Sequence, residues 1–178
     1  MQDQASSGVA GRTVHRLAEA VAILGGLCLV GAAVLTGISI AGSLVYRPLP
    51  GEIELVEILC GLAVFAFLPY CQLHKGHVGV DILINAFGPK AINWTQLIGD
   101  VVITVLLTLL AWRHLIGTMD KFRNGEFTPI LFIPLWWGFA AGFVLLLISI
   151  VVSAWTVLAD IRDIRRGVDI ELPLGGHG

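Results

Sequence analysis

The sequence predicts an all-α membrane protein: four transmembrane helices plus a short interfacial amphipathic helix between spans two and three. Three observations carry this. Apolar stretches run over about 17–45, 53–73, 94–116 and 130–158, and a helix of about 20 apolar residues crosses a bilayer core. Trp94, Trp112, Trp136, Trp137 and Trp155, with Tyr46 and Tyr70, fall near the ends of those stretches, where amphipathic rings settle at headgroup level. Hydrophobic residues make up 56% of the 178 residues and charged ones 13%, too few charges to coat a soluble domain of this size.

Residues 1–16 are polar and carry Arg12 and Arg16. The apolar run that follows is longer than the 7–15 residues of a signal-peptide core, so span one is expected to stay as an anchor. Within it, Ala33, Gly37 and Ala41, with Ala22 and Gly26 further in, repeat at helical spacing. Small residues so spaced let helix backbones approach closely, either inside the four-helix bundle or against another membrane subunit.

Arg47-Pro48-Leu49-Pro50-Gly51 reads as a turn, followed at once by Glu52, Glu54 and Glu57. Acidic residues in a first helical turn complement the helix dipole, which accounts for Glu52 and Glu54. Glu57 lies a turn deeper, where an unpaired carboxylate is expensive. Span three runs opposite to span two and brings Arg113 and His114 toward the same membrane face, so an ion pair of Glu57 with Arg113 is expected, ahead of an ion-pathway role for Glu57.

The connection from Pro69 to Asp81 is the most distinctive stretch. Val80, Leu83, Ile84 and Phe87 repeat with the period of an amphipathic helix. At about 78–88 it is too short to cross a bilayer and is expected to lie flat in the interface, stopped by Gly88-Pro89. His77 and Asp81, four apart, are placed to hydrogen-bond at the elbow. Asp100 lies about two turns into span three, as a structural polar contact rather than a proton or cation carrier, with Arg16, His74 or Lys75 in reach. Span four is expected to open at Thr128, an N-cap, and Pro129, a first-turn proline. Pro134 then kinks its first turns, and a tail follows over 160–178.

Lys and Arg sort by side. Arg12, Arg16, Lys75, Lys90, Arg162, Arg165 and Arg166 fall on one face, against Arg47, Arg113, Lys121 and Arg123 on the other. The positive-inside rule puts both termini and the middle connection in the cytoplasm. Arg162 and Arg166 share a helix face suited to lipid headgroups.

Cys28, Cys60 and Cys71 include no C-x-x-C pair, which argues against disulfide chemistry and for packing. His74 and His77 alone make a weak metal pair, and no metal, cofactor or nucleic-acid partner is expected. Glu57 and Asp100 belong near opposite faces, with no nucleophile and base beside them, so no enzyme activity is expected. The rival reading is a four-helix cytochrome b. Its haem would need axial ligands within the bundle, whereas His15, His74, His77, His114 and His177 do not gather at one depth.

The acidic start of span two, Glu54 and Glu57, the elbow Leu68-Pro69-Tyr70 through Gly76-His77-Val78-Gly79-Val80-Asp81-Ile82-Leu83, and the Pro129 to Phe143 stretch with Pro-Leu-Trp-Trp together resemble a known family. It is the small membrane subunit of the tripartite ATP-independent periplasmic (TRAP) transporters, and the resemblance covers almost the whole chain. It implies a multi-pass protein of the bacterial inner membrane. Its partners would be a large elevator-type membrane subunit, driven by an ion gradient (usually sodium), and a periplasmic binding protein that delivers an organic acid. The small subunit would be a scaffold that binds no substrate. Bets for partner contact are Ala33, Gly37 and Ala41 and the apolar face of the interfacial helix; Glu57, Asp100, Arg113, His77 and Asp81 are assigned to internal architecture.

Overall fold

In a computed structural model the described residues are 9–45, 47, 49–74 and 89–166. They form four helices: α1 (Val9–Val45), α2 (Glu52–Leu73), α3 (Pro89–Asn124) and α4 (Leu135–Arg166). All four are long and apolar enough to cross a membrane. Leu, Ile, Val and Ala dominate each, and long, continuous helices are what such sequences form where water cannot satisfy the backbone. The expected helix at about 78–88, with His77 and Asp81, lies outside the described residues.

Packing sets the helices in the order α1, α2, α4, α3. α1 lies along α2, α2 along α4, and α4 along α3, while α1 barely touches α4. α2 and α4 therefore hold the middle, and α1 and α3 each present a long apolar outer face, including Val30, Val34 and Ile38 on one and Val105, Leu106 and Leu109 on the other. Outward leucines and valines are normal where lipid is the solvent.

The α1–α2 seam is built from small side chains. Ala18, Val21, Gly25 and Ala32 of α1 are buried, as are Ala63 and Ala66 of α2. A Cβ on Gly25 would come 2.9 Å from the Ala66 Cβ. The two helices thus meet closely enough for dispersion to act over their length. Between α2, α3 and α4 the core is larger: Leu107, Ala111 and Leu146, with Phe65, Leu68 and Phe143 packed on them.

One expectation about an element start is corrected. α4 does not open at Thr128-Pro129 but at Leu135. Residues 125–134 form a compact loop, closed by an isolated bridge between Phe127 and Pro134. Pro134 stands immediately ahead of the helix, where its missing N–H costs nothing. α3 runs past the apolar stretch of about 94–116, through Gly117-Thr118-Met119 to Asn124. The polar residues Asp120, Lys121 and Arg123 hid that extension from a reading based on hydropathy, since they are adequate helix formers.

Candidate functional site

The bundle has two ends. One carries the α1–α2 turn and the α3–α4 loop; the other carries the start of α1 and the finish of α4.

At the loop end Glu54 is the organising residue. Its Oε1 accepts a hydrogen bond from the Ile130 N–H at 2.7 Å and its Oε2 one from the Leu131 N–H at 3.0 Å. The first-turn carboxylate thus satisfies a loop two helices away, beyond any dipole effect on its own helix. Thr128 holds the loop from inside. It is buried, its N–H donates to the Ile133 carbonyl at 2.9 Å, and its Oγ1 accepts from the Ile133 N–H at 3.0 Å. Thr128 is therefore a loop staple rather than a helix cap. Phe132 sits at φ 53°, an uncommon conformation for a bulky residue, and is 72% exposed. Gly51 closes the other side: its φ is 78°, and a Cβ there would lie 2.5 Å from the Leu131 Cγ. Beside the loop Lys121 donates to Glu126 Oε2 and Asn124 to Oε1. Chiefly the Lys121 hydrogen bond, with that from Asn124, holds the Glu126 carboxyl below the usual range.

At the opposite end a buried polar seam crosses three helices. Gln72 of α2 donates to Asp100 Oδ1 of α3 at 3.1 Å, a partner the sequence reading did not name. The Asp100 carbonyl accepts from Thr104 Oγ1 at 2.7 Å, and Thr104 Oγ1 pairs with Ser153 Oγ of α4 at 2.6 Å. Ser149, Ser153, Thr156 and Asp160 are all buried. Their spacing (four, three, four) puts them on one face of α4, a signal present in the sequence that scattered serines and threonines elsewhere obscured. Nearby, His15 meets His74 edge to face at 5.5 Å, and His15 Nδ1 lies 3.3 Å from Glu19. Arg162 stands over the Trp155 ring at 5.6 Å.

His114, at the depth of the α3–α4 core, donates from Nε2 to the Phe139 carbonyl at 3.0 Å and lies between the Phe65 and Phe139 rings. Gly142 leaves room for it: a Cβ there would meet His114 Nε2 at 3.0 Å and Phe65 at 3.1 Å.

Glu57 and Arg113 are both exposed, and no ion pair joins them. The expectation of that pair is corrected: His114, not Arg113, takes the α3 position that faces Phe65 of α2, and Glu57 and Arg113 each turn outward from their own helix. Ala33, Gly37 and Ala41 are exposed as well, on the side of α1 away from the Gly25 seam. Among the described residues no group of three or more His, Cys, Asp or Glu side chains is placed to hold a metal ion.

Comparison with known proteins agrees with this architecture. Residues 33–163 match the family described as tripartite ATP-independent periplasmic transporters, DctQ component. The match spans the last third of α1, all of α2 and α3, and nearly all of α4. It leaves the haem reading without support. No curated protein and no solved structure matches the chain. A bundle of four helices able to cross a membrane, matched over 131 of its 178 residues (33 to 163 inclusive), belongs to the DctQ family of TRAP transporters as a small membrane subunit.

Proposed function

We propose that this chain is the non-transporting scaffold of a TRAP system. It holds a large elevator-type subunit in the bacterial inner membrane while that subunit, driven by an ion gradient (sodium by preference), carries an organic acid inward. A periplasmic binding protein supplies the acid. Both termini face the cytoplasm on this reading, as the Lys and Arg distribution favours. The chain has no enzymatic role, and its contacts are with the two protein partners and with lipid.

Family membership over 33–163 carries the proposal. The polar groups support it. Substrate sites in secondary transporters draw on discontinuous helices and polar groups near mid-membrane, whereas each helix here is continuous over its described length. Some of its inward polar side chains join helix to helix, Gln72 with Asp100 and Thr104 with Ser153, and Ser149 and Thr156 bond the backbone of their own helix. Asp100 thus belongs to internal architecture, and His77 and Asp81 are assigned to the elbow. Ala33, Gly37 and Ala41 are free of internal duty and suit partner contact.

Reconstitution tests this. Vesicles holding this chain alone leave an imposed organic-acid gradient untouched, and vesicles with the large subunit, sodium gradient and loaded binding protein accumulate solute. Uptake by the chain alone would overturn the scaffold reading.

A further inference from the structure

Glu57, at the start of α2, has no side-chain partner among the described residues. Glu54 closes the α3–α4 loop, and Glu52 stands in the first helical turn. Glu57 lies five residues into the helix, about 7.5 Å along its axis. It is exposed and makes no hydrogen bond or ion pair among the described residues. Its neighbours on that face are apolar and bare: Ile53 is 78% and Val64 62% exposed, and Gly61 has open space before it. Charged groups in spanning helices almost always face a partner, because an uncompensated charge against hydrocarbon is costly.

α1 packs along α2. Gly25 meets Ala63 and Ala66, and Gly31 meets Leu59, across antiparallel helices. Two residues onward on each, Ala33 falls at the level of Glu57. Ala33 and Gly37 are exposed there, on the side of α1 away from that seam and among the exposed Val30 and Val34.

We propose that this face seats one spanning helix of the large membrane subunit, which brings a Lys, Arg or His side chain to Glu57. The inference rests on the scaffold reading and adds the face and the chemistry of its partner. Hydrophobic attraction does not favour protein over lipid here, so a charge-assisted hydrogen bond in a low-dielectric setting supplies both affinity and register.

A photo-crosslinking residue at position 64, with a second at position 106 on the outward face of α3, tests this in membranes that contain the whole transporter. The expected adduct at 64 is the large subunit, cross-linked within about one turn (about 5 Å) of a basic side chain. Glu57→Lys is expected to lower recovery of the complex at least about tenfold, Glu57→Gln to lower it less, and exchange of the partner's basic residue for Glu to restore the Lys variant. The Tm of the chain purified alone should not move. Adducts with the large subunit at 106 only, adducts with lipid only at 64, or undiminished recovery of the Gln and Lys variants would overturn the proposal and leave the scaffold reading intact. No large subunit recovered with the wild-type chain in mild detergent would defeat the scaffold reading itself.

Discussion

Glu54 accepts a hydrogen bond from the backbone N–H of Ile130 at 2.7 Å, and its second oxygen takes the N–H of Leu131. One side chain of α2 therefore fixes the connection between α3 and α4. Gln offers one acceptor oxygen in place of two and carries no charge, so it leaves one loop N–H without its acceptor. Glu54→Gln is expected to lower the thermal midpoint in detergent and to speed amide exchange at Ile130 and Leu131. Glu52→Gln, a first-turn change, should leave that exchange as it is. Equal exchange in both variants would remove Glu54 from this role.

Gly51 stands opposite the same loop. Its left-handed backbone alone makes a side chain cost about 1–2 kcal/mol. A Cβ would also approach the Leu131 Cγ to 2.5 Å, which forces the loop outward. Gly51→Ala is expected to lower stability by at least that amount, read as a drop in detergent Tm. Gly125, also at positive φ but with open space around it, should show the backbone cost only.

Two glycines of α1 separate inward from outward faces. Gly25→Ala drives a methyl against Ala66, an overpacking that costs about 1–3 kcal/mol. Gly37 has open space before it, so Gly37→Ala should change the stability of the chain alone by less than about 0.5 kcal/mol. Comparison of the two unfolding midpoints checks the asymmetry; a Gly37→Ala loss as large as that of Gly25→Ala would mean that the outward side of α1 is packed within the chain.

The four apolar runs were legible because length and hydropathy alone decide whether a helix can cross a bilayer. Helix ends were not. Thr128-Pro129 has the residue types of a helix start, yet Glu54, seventy-six positions from Ile130, satisfies the loop backbone and lets the chain turn once more before Leu135. Likewise the Glu57–Arg113 pair required both side chains to turn toward a shared seam, yet His114 takes the inward position against Phe65 and leaves Arg113 outward. Which helices touch depends on packing between long faces, and the hydrophobic pattern of a membrane helix, apolar all round, carries little of that. Asp100 was recognisable as a buried group, but Gln72 was not recognisable as its donor, because a neutral amide at a span end looks like a surface residue. The outward direction of Ala33 and Gly37 was equally hidden: α1 carries small residues on two faces, and only the contact of Gly25 with Ala66 tells them apart.

Thr104 and Ser153 couple α3 to α4 at 2.6 Å in a buried setting. Interhelical hydrogen bonds in membranes average about 0.6 kcal/mol in double-mutant cycles and reach about 1.7. A cycle of Thr104→Val and Ser153→Ala is expected to return a coupling in that range, measured by unfolding in mixed micelles. Thr108, whose hydroxyl bonds the Thr104 carbonyl within its own helix, should show no coupling to Ser153. Gln72→Leu removes the donor to Asp100 Oδ1 and is expected to cost about 1–3 kcal/mol.

Glu126 carries the pH dependence of the loop. Hydrogen bonds from Lys121 first and Asn124 second hold its carboxyl below the usual glutamate range, because both favour the ionised form. The unfolded chain therefore binds the proton more readily than the folded one. The contribution is fully present above the ordinary glutamate value and is lost as pH falls through the lower, folded value. Both groups are partly exposed, so salt weakens the effect. Acid titration followed by the Glu126 carboxyl chemical shift should give a midpoint below that of a free glutamate, and Lys121→Met should raise it. The same substitution should flatten the acid limb of loop protection measured by amide exchange. A midpoint unmoved by the loss of Lys121 would show that the ammonium is not what stabilises the charge.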